Sequence, residues 1–243
     1  MGLQSNIDLM WLEDVLGSRE AGIDSEWEAC FLLNYPPSGN GELLVCPTVV
    51  LENGGTIALW YLPNALSCPI EDTILRLLPP LQDQLASSIF NVENNRLVGC
   101  LEFAPASQMQ GHTWVRDMTI LNSIISGALS IMHPQLYDIA AANHPHMHGA
   151  FSIWPTIFTN ISAITNRCSS LHYYKDCILH IPSLGIDLMY SPGTVVTFSG
   201  HLLQHGVNPV EGNRYCLIYY MRDNIHNFVG VARCDWMRMD HVD

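Results

Sequence analysis

The chain has 243 residues, 48% of them apolar and only 14% charged, with a formal net charge of −13. This length allows one large core or two small ones, and this composition argues against a disordered polymer. Nine arginines and a single lysine against 23 acids argue against gripping long nucleic acid by bulk charge, and leave that role to a local arginine-lined groove.

The charge is uneven: sixteen of the acids but only four of the arginines fall in residues 1–160. The acidic start (Asp8, Glu13, Asp14, Glu20, Asp24) has neither the basic region nor the apolar stretch of a signal peptide. No apolar run approaches the roughly 20 residues that cross a bilayer. The expectation is an intracellular chain, nuclear or cytoplasmic, with no membrane partner. Eight scattered cysteines without a Cys-x-x-Cys pair then read as reduced thiols rather than as disulfides or a zinc site.

Residues 1–42 read as a lead-in, partly disordered, with a short helix over 9–16. Two apolar, β-branched segments at 43–50 and 56–62 flank Glu52-Asn53-Gly54-Gly55, a hairpin signal. Residues 71–90 have helical periodicity that Pro79-Pro80 must break. A strand is predicted at 97–103. One helix is predicted over 113–142, with Thr113 as its N-cap and a stop or kink at His133-Pro134; Trp114, Met118, Leu121, Ile125, Ala128 and Met132 form its buried stripe. From residue 161 short strands follow one another, at 161–165, 177–181, 186–190, 194–199, 215–220 and 228–231. Their spacing suggests a sandwich or jelly roll. The fold class predicted is α+β: a double-stranded β-helix core, mainly 151–232, with helical support mainly over 71–142. Together these make a single domain over 43–243.

Three residues carry the chemical reading. Arg214 opens a strand and shares its face with Cys216, Ile218 and Tyr220, where a guanidinium is costly unless it meets an anion. Arginine grips a carboxylate with two parallel hydrogen bonds. His205 stands nine residues upstream, between a strand and a Gly-Val turn. His201 is spaced from it like a helical metal pair, but the Val195–Phe198 run argues for strand and turn there, which demotes it. A non-haem iron centre wants two histidines and a carboxylate on one face of the metal. The second histidine candidate is His172. A His-x-Asp pair works because residues two apart on a strand point the same way, yet position 174 is tyrosine. Asp176, four residues on, lies roughly 13 Å from His172 in an extended strand and joins the same metal only through a sharp turn. The His144-Pro-His-Met-His148 tract reads as a cap on the loop after the helix.

Taken together, the ordered segments resemble iron/2-oxoglutarate oxygenases of the ten-eleven-translocation/J-binding-protein (TET/JBP) type, in their fungal branch. The segments are Gly55-Thr-Ile-Ala-Leu-Trp-Tyr-Leu-Pro-Asn, Gln108-Met-Gln-Gly-His112, Met132-His-Pro-Gln-Leu-Tyr, Trp154-Pro-Thr-Ile-Phe, Asn166-Arg167, Pro182-Ser-Leu-Gly, Pro192-Gly-Thr-Val-Val, His205-Gly-Val and Tyr219-Tyr-Met-Arg, spread over most of residues 45–230. The resemblance implies Fe(II) as metal, 2-oxoglutarate as cosubstrate, and oxidation of the methyl group of 5-methylcytosine or thymine in nucleic acid, with the base extruded from its stack. It places iron ligands at His172 and His205 and the 2-oxoglutarate arginine at Arg214. The departure is at the carboxylate. His172-Tyr173 runs directly into Tyr174-Lys-Asp-Cys-Ile-Leu, as though a segment and one strand after His172 were missing with the metal-binding Asp. Asp176 would then belong to the downstream segment. The alternatives are a catalytically inactive relative lacking the metal-binding Asp, acting as a binding module or an incomplete product, and a small-molecule oxygenase or cupin-like binder.

Overall fold

Twelve strands among the described residues are shared equally among three four-stranded sheets. The structure is a computed structural model that describes residues 1–16, 41–79, 81, 85, 90–92, 96–104, 109–147, 154–167, 177–207, 213–222, 227–228, 230 and 234–241. The chain divides into two compact units: unit 1 holds residues 1–67, 176–209 and 236–243, and unit 2 holds 68–175 and 210–235.

Unit 1 contains β1 (Gly2–Ser5), α1 (Leu9–Leu16), β2 (Glu42–Leu44), β3 (Thr48–Glu52) and β4 (Ile57–Leu62). After the crossing into unit 2 and back come β8 (Ile178–Ile181), β9 (Ile186–Met189), β10 (Val195–Phe198) and β11 (Gly206–Val207). One sheet has the order β1-β3-β4-β10, the other β11-β8-β9-β2. A shared core joins them: Val50, Leu59 and Tyr61 from the first sheet meet Leu44, Leu179, Ile181, Ile186 and Leu188 from the second, with Ile7, Leu9 and Leu12 from the lead-in. Each fully buried leucine or isoleucine stabilises by about 1.5–3 kcal/mol. The Tyr61 hydroxyl keeps its hydrogen bond inside this core by donating to the Met189 carbonyl at 2.6 Å. The β3–β4 hairpin forms at the Asn-Gly-Gly turn, where Gly55 has φ +85°, a region a side chain would resist.

Unit 2 contains α2 (Cys68–Leu77), β5 (Phe90–Val92), β6 (Arg96–Phe103), α3 (Met109–Asp117), α4 (Thr119–Met132), α5 (Pro134–Met147), β7 (Asn160–Arg167) and β12 (Asn213–Tyr220). Its antiparallel sheet has the order β12-β7-β6-β5. One face packs on the helices. Phe103 stacks on Trp114 at 4.9 Å, and Tyr219 donates to Asn122 Oδ1 at 2.9 Å. Asn122 is fully buried and satisfied, since its amide also donates to the Val115 carbonyl at 2.7 Å.

Four readings of the sequence need correction. The apolar run at 43–50 is not one strand: Cys46-Pro47 breaks it, and its first part pairs with β9 in the other sheet. The lead-in supplies β1, which pairs in parallel with β3 and went unread because its four residues carry no clear alternation. The segment predicted as one helix over 113–142 is three helices, α3 to α5: the break at His133-Pro134 stands as read, and the break at Met118 is the correction. Thr113 therefore lies inside α3 and is not an N-cap. The strand at 228–231 is also absent where described: Phe228 sits in a helical turn with its side chain 90% exposed. The break at Pro79, the strands from 161 to 220 and the α+β class stand as read.

Candidate metal and cosubstrate residues

His205 belongs to the turn that carries β10 into β11 in unit 1. The turn is closed by its own backbone: the N–H groups of Leu202 and Leu203 both donate to the Ser199 carbonyl, at 3.2 and 2.9 Å. Leu202 and Leu203 are buried in the core and pin it from below. The Leu203 carbonyl then accepts a hydrogen bond from His205 Nδ1 at 2.9 Å. A carbonyl oxygen only accepts, so Nδ1 carries a proton, and the tautomer this selects has its lone pair on Nε2. This is the tautomer a metal-ligating histidine needs, with its second nitrogen held by a backbone carbonyl. Phe198 meets the imidazole edge to face, with ring centroids 5.0 Å apart and an interplanar angle of 74°.

Arg214 belongs to unit 2, on β12 directly opposite Asn166 of β7. Strand alternation puts it with Cys216, Ile218 and Tyr220 on the face away from α3 and α4, since Tyr219 is the residue that reaches Asn122. Only 8% of Arg214 is exposed. A guanidinium stripped of water to that extent is costly unless polar or anionic groups satisfy it.

His172, Tyr174 and Asp176 lie outside the described residues. Among the described residues no three of His, Cys, Asp or Glu converge as a metal site. His201 is exposed in the turn before His205. His144 has a structural role, its Nε2 donating to the Trp154 carbonyl at 2.8 Å. The six described cysteines are free thiols. No helix among the described residues is long and apolar enough to cross a membrane.

The sequence reading missed one pair. His180 and Asp187 face each other across β8 and β9, and His180 Nδ1 donates to Asp187 Oδ1 at 2.6 Å. Their equal distance from the middle of the four-residue Pro182-Ser-Leu-Gly185 turn was the available signal. The side chains are 41% and 26% exposed, so the pair stiffens a sheet surface without excluding water.

No protein-family model matches this chain. No curated protein matches it in sequence. The likeness found lies in the fold. The solved structure of NgTET1 in complex with 5mC DNA has a TM-score of 0.58 to this chain at 14% identity, covering 83% of this chain and 92% of that one.

Proposed function

We propose that this chain is an Fe(II)/2-oxoglutarate-dependent dioxygenase of the TET/JBP type, in its fungal branch, which oxidises the methyl group of a 5-methylcytosine-like pyrimidine in nucleic acid. The observation that carries the reading is His205, whose Nδ1 is committed to the Leu203 carbonyl and whose Nε2 is left as a donor for a metal. The TET-type fold supports it, since NgTET1 is a protein solved with 5mC DNA. His172 and His205 would hold the iron, and Asp176 is the carboxylate next in sequence to His172. Arg214 would pair with the far carboxylate of 2-oxoglutarate. Bound iron and cosubstrate would supply the oxidation of the methyl group; the protein orients the reactants and keeps water away. Residues 43–243 would act as one double-stranded β-helix domain, meeting the nucleic acid through a local groove and working in the nucleus or cytoplasm.

A second reading is a non-catalytic relative, favoured by Tyr174 at the place where a His-x-Asp motif has its carboxylate. One experiment separates them. Anaerobic addition of Fe(II) and 2-oxoglutarate should give a metal-to-ligand charge-transfer band, and admission of oxygen should release succinate and oxidise the methyl of a 5-methylcytosine duplex, read by mass spectrometry. His205→Ala should abolish all three signals. Folded wild-type protein that gives none of them is the non-catalytic relative.

A further inference from the structure

We propose that Phe198 is a positioning residue that fixes the plane of the His205 imidazole, so that the Leu203 carbonyl can fix its tautomer. The inference rests on the reading of His205 as a metal ligand for its purpose, but not for its geometry. Phe198 ends β10, paired with Leu59 of β4, and its ring packs against the unit 1 core. The ring is therefore anchored on one side by the core and presents the other to His205, at 5.0 Å and 74°. Gly200 completes the seat: a Cβ built there would stand 3.6 Å from His205 Cε1 and 4.0 Å from Phe198 Cε2, which is ordinary contact with both rings.

The logic is a division of labour. An imidazole has one torsion that swings the ring about its bond to Cβ. A single hydrogen bond to Leu203 tolerates a range of that torsion. An edge-to-face aromatic contact narrows it, because both the quadrupole and the steric envelope prefer one inclination. With the plane held, Nδ1–H stays on the carbonyl and Nε2 keeps one direction. Without it the ring swings, the hydrogen bond is lost part of the time, and the Nε2–H form that a free histidine side chain favours gains population. The metal-binding lone pair is then absent in that fraction.

The test reads the ring itself. In uniformly ¹⁵N-labelled full-length protein, at a pH where the imidazole is neutral, long-range ¹H–¹⁵N correlations should show His205 with Nδ1 protonated and Nε2 bare. A nuclear Overhauser contact should join its Cε1 or Cδ2 proton to the Phe198 ring. Phe198→Leu keeps an apolar side chain in the core and should move both nitrogen shifts toward the tautomeric average. Phe198→Tyr should restore the wild-type pattern, and Gly200→Ala should preserve it. Co(II), a redox-stable probe, should bind Phe198→Leu about tenfold or more weakly than wild type, the range seen when groups that orient a ligand are removed. A wild-type spectrum without the Overhauser contact overturns the proposal whether or not the variants fold, and so does a Phe198→Leu ring indistinguishable from wild type. A tautomer that shifts as expected, in protein that binds no Co(II) in any form, upholds Phe198 and removes the oxygenase reading instead.

Discussion

His133 shows how one side chain can serve two helices. It ends α4, where its N–H donates to the Leu129 carbonyl at 2.8 Å, and it begins α5, where its Nδ1 accepts the Leu136 N–H at 3.3 Å. Leu136 is the third residue of α5, so His133 does the work of an N-cap there. Its Nε2 faces Cys234 Sγ at 3.9 Å. Burial is the main influence on its pKa and pushes it below the usual histidine value, partly offset by the Asp235 backbone. A histidine with a depressed folded pKa contributes stability that is present above the unfolded value, about 6.5, and is lost as pH falls below it. Protonation also removes the Nδ1 acceptor from α5. Urea midpoints should therefore fall between pH 7.5 and pH 5.5, and His133→Asn, which caps without titrating, should narrow that difference. The candidate site has its own residue-scale expectation. Tyr174→Asp turns His172-Tyr173-Tyr174 into a His-x-Asp sequence, and iron affinity under anaerobic titration should rise at least about tenfold, the scale on which metal sites respond to single groups. An unchanged affinity would mean that position 174 is not directed at the metal.

At the scale of elements, the β8–β9 hairpin depends on one backbone conformation. Gly185 follows the Pro182–Leu184 turn at φ 65° and ψ 29°, the left-handed region, with its N–H on the Pro182 carbonyl. Its own carbonyl accepts the Glu42 N–H at 3.2 Å, at the start of β2. Gly185→Ala should cost about 1–2 kcal/mol in denaturant unfolding, and Gly185→Asn less, since asparagine enters that region more readily. This turn was legible in the sequence because Pro-Ser-Leu-Gly states its geometry locally. So were β7, β8, β9, β10 and β12, each a run of β-branched and apolar residues between punctuating turns. The break at Met118 was not, because it comes at φ −81° and ψ 18° with no glycine or proline to announce it, whereas His133-Pro134 announces the next one. Pairing was equally hidden: nothing local in Glu42–Leu44 says that it leaves its hairpin neighbours for β9. For the candidate site, order and context in the sequence single out His205 and Arg214 as candidates. Leu203 and Phe198 as partners of His205 could not, since a backbone carbonyl and a ring contact leave no motif.

The whole molecule is interleaved. Unit 1 takes three stretches of chain and unit 2 takes two. The described part of unit 1's last stretch, residues 236–241, is a strap with several attachments. The Met237 carbonyl accepts the Ile57 N–H at 2.8 Å, the Met239 N–H donates to Gly55 at 2.9 Å, and Trp236 donates to Glu13 Oε2 at 2.6 Å. Met237 packs with Leu51 and Ile57. A chain ended at residue 235 should lose about 1.5–3 kcal/mol through the missing burial of Met237 alone. Thermal unfolding followed by the fluorescence of Trp60, which packs against that same cluster, should register the loss.

That strap also has a temporal consequence. A ribosome has emitted β1 to β4 once it reaches Leu62, but the partners that complete their packing, Val195–Phe198 and then Trp236 onward, come far later along the chain. At about 5–20 residues per second the wait is on the order of ten seconds to half a minute. Through that interval the nascent strands Thr48–Glu52 and Ile57–Leu62 hold their valines, leucines and tryptophan in water. A newborn chain of this kind is a natural client for a holding chaperone, and its yield in a cell should follow chaperone supply more closely than the stability of the finished fold would suggest.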